Sequence, residues 1–80
     1  MKINILAFGI AKDIMGKREV AFQISEQATV AQLKDDLLRS YPAFEDLRSL
    51  AVAINSTYAE DDLIIQPTDE VALIPPVSGG

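Results

Sequence analysis

The chain has 80 residues, 49% of them hydrophobic, which is enough for one domain with a thin core and too apolar for a disordered chain. It contains neither cysteine nor histidine, which excludes disulfides, thiolate metal sites, a cysteine nucleophile and the commonest general base, so no metal is expected and a self-contained enzyme is a poor fit. The formal net charge is −5, and the 7 basic residues (Lys2, Lys12, Lys17, Arg18, Lys34, Arg39, Arg48) are scattered, an arrangement that suits basic protein partners rather than nucleic acid.

Lys2 to Gly9 reads as a first strand, with Ile3, Ile5 and Ala7 on one face and Asn4, Leu6 and Phe8 on the other. Asn4 interrupts the apolar run, and Lys12 and Asp13 follow it closely, so the segment is read as a strand and not as a targeting signal. No stretch is long enough to span a membrane, and a reducing, cytoplasmic compartment is expected. Gly9 to Gly16 reads as a connector with a turn of helix at Ala11 to Met15, Met15 filling a gap in the core. Arg18 to Ser25 alternates again, with Val20, Phe22 and Ile24 pointing one way, and pairs with the first strand as a hairpin with a long loop.

Thr29 opens the strongest helix signal. Its hydroxyl can accept from the Gln32 amide and Gln32 can reach back, as in a capping box. Val30, Leu33, Leu37, Leu38 and Tyr41 then form one apolar stripe, while Lys34, Asp35, Asp36 and Arg39 fill the wet face, with Asp35 and Arg39 spaced as an ion pair. Pro42 ends the helix. Ala43 to Ser49 reads as a short irregular or helical linker, and Leu50 to Ile54 as a strand covered on both sides. Asn55-Ser56 is a turn, Glu60-Asp61-Asp62 a solvated acidic loop, and Leu63 to Gln66 a short edge strand stopped by Pro67. Glu70 to Ile74 is the last strand.

A hairpin, a helix packed across it and further strands make an α+β fold of the β-grasp type, a mixed sheet covered by one main helix. Residues 1–76 are assigned to this domain and 77–80 to a flexible tail. Leu6, Phe8 and Ile74 fall on the face opposite the core set. Leu6 is expected to pack under the 9–16 connector or the 43–49 segment; Phe8, Ile74 and Tyr58 are expected to form an exposed apolar patch where a partner docks.

The chain ends Pro75-Pro76-Val77-Ser78-Gly79-Gly80. Two prolines project the end stiffly from the last strand, and two glycines without Cβ atoms can thread a narrow channel. The reactive group is then the Gly80 carboxylate. ATP activates such a group as an acyl adenylate; displacement of AMP by a sulfur nucleophile gives a thiocarboxylate, and displacement by an amine gives an isopeptide. Neither route needs a catalytic side chain on this chain.

The segment Asp69 to Gly80 closely resembles the C-terminus of the small subunits of molybdopterin synthase, as do Leu6-Ala7-Phe8-Gly9, the helix start Thr29-Val30-x-x-Leu33 and the corner Ala53-Ile54-Asn55. The resemblance covers nearly the whole chain; Pro67-Thr68-Asp69 departs from it, where many relatives carry an Asp-Gly turn. It implies a ubiquitin-like β-grasp fold and a Gly80 carboxylate that is adenylated by an ATP-using, E1-like activating enzyme and sulfurated from a sulfur donor protein. The tail would then enter the large synthase subunit, which holds the catalytic side chains, and give sulfur to a pterin precursor of molybdopterin. Large and small subunits would form a heterotetramer. No cofactor is expected on this chain, since ATP is used by the activating enzyme. Three other readings stay open: a carrier for thiamine thiazole or another sulfur acceptor, a ubiquitin-like protein modifier, and a plain interaction domain whose terminal glycines do nothing.

Overall fold

The computed structural model describes residues 1–46 and 50–75, without the Asp46 side chain. The elements in chain order are β1 (Lys2–Ala7), α1 (Gly9–Met15), β2 (Glu19–Gln23), α2 (Val30–Ser40), a short 3₁₀ helix (Pro42–Asp46), β3 (Ala51–Ile54), β4 (Thr57–Tyr58) and β5 (Glu70–Ile74). The five strands form one mixed sheet in the order β2-β1-β5-β3-β4. β1 and β5 pair in parallel at its centre, with Ile5 beside Val71 and Ala7 beside Leu73, and every other pairing is antiparallel. The β-grasp architecture read from the sequence is therefore present.

The period-2 pattern places Ile3, Ile5 and Ala7 of β1, Val52 and Ile54 of β3, and Val71 and Leu73 of β5 on one face, all buried. α2 covers that face with Val30, Leu33 and Leu37, each fully buried. Its start follows the sequence signal: Thr29 Oγ1 accepts from the Gln32 N–H at 3.3 Å, and Gln32 Oε1 accepts from the Thr29 N–H at 2.8 Å. The next donors of the first turn are also satisfied, because the Val30 and Ala31 N–H groups donate to the Leu63 and Asp61 carbonyls, both at 3.0 Å. The 60–63 loop is thereby fastened to the helix, and the Lys34 ammonium adds a 2.8 Å contact to Asp61 Oδ1.

Five expectations change. The 9–16 connector holds a seven-residue helix, longer than one turn, which buries Ala11 and Met15 against the core and closes on Gly16 in the left-handed region. Leu38 lies outside the buried stripe, and Tyr41 is half-buried as the C-cap residue, because α2 ends at Ser40. Arg39 approaches Asp36 at 3.7 Å, rather than Asp35. Leu63 to Gln66 makes only an isolated bridge, Ile64 to Thr29, and the sheet edge is formed by β4. Finally, β3 has a helix on one face only: Val52 and Ile54 point to the core, whereas Ala51 and Ala53 lie on the open face, and the small size of these alanines lets their neighbours cover them. Part of the linker, residues 47–49, lies outside the described residues.

Candidate functional site

The face of the sheet turned away from α2 is where the predicted docking residues fall. The strand register sets one row across it: Glu19 (β2), Leu6 (β1), Ala72 (β5), Ala53 (β3) and Tyr58 (β4). A second row, Ala51 beside Ile74, lies further toward the end of β5. Phe8 is extended (φ −123°, ψ 156°) directly after β1, so it continues the alternation on the same side as Leu6. At the opposite end of the same face the row is Ala21, Asn4 and Glu70, with Lys2 and Gln23 beyond. The open face is thus polar where β1 begins and apolar where β1 and β5 end. The chain leaves the sheet at Pro75, at the apolar end.

Phe8 is 44% exposed, Tyr58 70% exposed and Ile74 half-buried. Strands ~4.8 Å apart put Tyr58 roughly 10 Å from the β5 row, so the three residues bracket a continuous apolar strip rather than touching as one cluster. Leu6 belongs to this strip as well. It is half-buried between Glu19 and Ala72, and it does not pack under α1, whose Ala11 and Met15 join the core on the other side. Alanine at positions 51, 53 and 72 keeps the strip shallow, and a large apolar side chain exposed beside it gains most by burial against a partner.

The exit of the tail is shaped by Gly9, which has φ +53°. It lies against Pro75, close enough that an added Cβ would come within 3.4 Å of Pro75 Cγ. Pro75 is therefore flanked by a residue with no side chain, next to Phe8. The remaining tail residues named from the sequence, Pro76, Val77, Ser78, Gly79 and Gly80, lie outside the described residues.

Elsewhere, Asn55 and Asp69 lock the two turns at the far end of β3 and β5. Asn55 Nδ2 donates to Asp69 Oδ1 at 2.9 Å, its Oδ1 accepts from the Glu70 N–H at 2.9 Å, and Asp69 Oδ2 accepts from the Gln66 N–H at 2.8 Å. Asp69 thereby closes the Pro67-Thr68 turn that lacks a glycine. The sequence carried turn signals at both places but no sign that they bind each other. The Lys34–Asp61 link was equally hidden, being separated by 27 positions. Among the described residues no group of three His, Cys, Asp or Glu side chains converges as a metal site, and no helix is long and apolar enough to cross a membrane.

Comparison with known proteins matches residues 5–80 to the ThiS family. The molybdopterin synthase sulfur carrier subunit of Arabidopsis thaliana is 35% identical over 81 residues, covering 100% of this chain and 84% of that protein. Among solved structures, the small archaeal modifier protein 1 of Haloferax volcanii superposes with a TM-score of 0.80 at 26% identity, over 95% of this chain and 98% of that one. A chain from the complex of subunits 1 and 2 of the molybdopterin-converting factor of Helicobacter pylori superposes with a TM-score of 0.69 at 22% identity, over all of both chains, and supports the fold.

Proposed function

The chain belongs to the ThiS family, and from that premise we propose that it is the sulfur carrier subunit of a molybdopterin synthase. The observation that carries this reading is the family match over residues 5–80, which runs through Gly79-Gly80. A relative with the sulfur carrier name, matched along the whole of this chain, supports it over a carrier for thiamine thiazole.

In this reading the working atom is on the Gly80 carboxylate. A carboxylate oxygen attacks the α-phosphorus of ATP on an E1-like activating enzyme, and pyrophosphate leaves. A sulfur nucleophile, supplied from a sulfur donor protein, then displaces AMP and leaves a C-terminal thiocarboxylate. On the large synthase subunit the thiocarboxylate sulfur forms a C–S bond at a carbon of the pterin precursor as a C–O bond at that carbon breaks and its oxygen leaves. Water then hydrolyses the resulting thioester, which leaves the sulfur on the pterin and returns the Gly80 carboxylate. Gly79 and Gly80 lack side chains that would block a narrow entry channel. Pro75 and Pro76 have fixed φ and no N–H to pair with a sixth strand, so the tail is kept for the partner. No histidine or cysteine on this chain is called for.

Phe8, Tyr58 and Ile74 hold the body of the domain while the tail reacts. Burying an exposed aromatic side chain contributes about 1.5–3 kcal/mol, enough to make these residues the anchors of the interface. Both partners need the tail, so they bind in turn. The assembly with the large subunit is a heterotetramer, and the thiocarboxylate chemistry belongs to the reducing cytoplasm. ATP is consumed on the activating enzyme and is not held here.

The test is a reconstitution with large subunit, activating enzyme, ATP, sulfur donor and pterin precursor. Full-length chain is expected to yield molybdopterin and a chain lacking Gly80 none. Undiminished product without Gly80 would remove this function. A second reading, a ubiquitin-like modifier joined to lysines, is favoured by the likeness to the Haloferax volcanii modifier protein. It predicts the same activation but isopeptide adducts on other proteins, visible as added mass on lysine-containing peptides.

A further inference from the structure

We propose that the groove beside β4 is a second docking site, one that takes an extended partner segment carrying a lysine or arginine next to an apolar side chain. It involves neither the tail nor Phe8 and Ile74, shares Tyr58 with the apolar strip, and holds under either reading of Gly80.

β4 is the outer strand of the sheet. Ala59 N–H donates to the Val52 carbonyl at 2.9 Å, and the register pairs Ile54 with Thr57. Antiparallel alternation then turns the N–H and C=O of Tyr58 away from β3, toward solvent. An extended segment laid along this edge finds two backbone partners there. Next to it runs an open groove of about 280 Å³, with Ile54, Ala59 and Leu63 among its apolar lining and Tyr58 on its wall. Leu63 is 41% exposed, so the lining is open to a ligand.

The rim gives the charge of that ligand. Glu60 and Asp62 both line the groove, and among the described residues no lysine or arginine does. The carboxylate between them, Asp61, is taken by Lys34, and the Asp61 and Leu63 carbonyls are held by the first turn of α2. The loop is therefore fixed to the helix, with two carboxylates flanking the apolar groove and no ion-pair partner for either among the described residues. A cation beside an apolar side chain satisfies both features at once. A hydrophobic segment without charge leaves the carboxylates desolvated, and an acidic one is repelled.

The experiment is an NMR titration of the ¹⁵N-labelled full-length chain with a capped Val-Arg-Val-Arg-Val peptide. Its counterpart with glutamate in place of arginine serves as control. The expected result is a saturable shift of the Tyr58, Ala59 and Leu63 amide signals by the arginine peptide and none by the glutamate peptide. The double variant Glu60→Gln, Asp62→Asn, whose spectrum elsewhere should be unchanged, is expected to bind about tenfold more weakly or less. The proposal would be overturned by no saturable shift at about 5 mM peptide, by shifts centred on Asp35 and Asp36, or by equal binding of the double variant. Movement of the same signals with protein concentration alone would also overturn it, by assigning the groove to a second copy of the chain.

Discussion

Gly9 and Pro75 meet where the tail leaves the sheet: a Cβ on Gly9 would lie 3.4 Å from Pro75 Cγ, in direct contact with the ring. Gly9 also has φ +53°, a conformation that costs an L-residue about 1–2 kcal/mol. Gly16, at φ +84°, shares that cost, but a Cβ there would have nothing within 4 Å. Gly9→Ala and Gly16→Ala are both expected to lower stability by about 1–2 kcal/mol in urea denaturation. Only Gly9→Ala is expected to slow sulfur transfer as well, since only its new methyl group would touch Pro75, where the tail leaves the sheet. Equal transfer rates for the two variants would break the link between Gly9 and the tail.

The apolar half of the open face makes a separate prediction. Tyr58→Ala and Phe8→Ala should each weaken binding of the large subunit about tenfold or more, measured by calorimetry, because large anchors dominate such interfaces. Both side chains are exposed, so folding stability should move by about 0.5 kcal/mol at most. Gln23→Ala, at the polar end of the same face, is expected to leave binding unchanged. Normal binding by Phe8→Ala and Tyr58→Ala would take the docking role away from this strip.

The capping box on α2 is expected to be worth about 1 kcal/mol. For a domain of this size Thr29→Ala should therefore lower Tm by roughly 4–8 °C. Gln32→Ala removes the reciprocal bond, and the two changes should combine to less than their sum, since each bond supports the other. A thermal melt of the two single variants and the double variant checks both statements.

At the β3–β4 turn Asn55 has φ +52° and Ser56 φ +70°, the geometry of a tight hairpin turn that favours glycine at its second position. Ser56→Gly is expected to stabilise the domain by about 0.5–1 kcal/mol, as it relieves a left-handed residue whose side chain only faces solvent at the turn. Asn55→Ala should do the reverse, because it strips the bonds to Asp69 and to the Glu70 N–H. Urea midpoints moving in the same direction for both would refute this account of the turn.

The elements with a strong local period were legible in the sequence. Ile3-Ile5-Ala7 and Val71-Leu73 alternate cleanly, and Thr29 with Gln32 announces the helix start. What was hidden depends on contacts between distant residues. α1 is short and becomes a full helix only because Ala11 and Met15 find the core. The Leu50 to Ile54 run looked like a strand covered on both sides because Ala51 and Ala53 are as apolar as core residues, although they face outward. Leu63 to Gln66 looked like a strand from its composition, yet its backbone is spent on α2 and the residues that lead into it, with the Leu63 carbonyl accepting from Val30 and the Ile65 N–H donating to Ala28. For the site, Phe8, Tyr58 and Ile74 could be placed on one face by counting residues, but the continuity of the strip through Ala72 and Ala53 needed the strand order.

The most direct test of the central claim uses the absence of cysteine. The chain is incubated with ATP, a sulfur donor and the activating enzyme, treated with a thiol-alkylating reagent, and its intact mass recorded. A single alkyl adduct that maps to Gly80 is expected, because no side chain here is a thiol and only a thiocarboxylate would react. Alkylation also separates that product from oxidation of Met1 or Met15. No adduct, from an activating enzyme shown to work on another carrier, would contradict the sulfur carrier role.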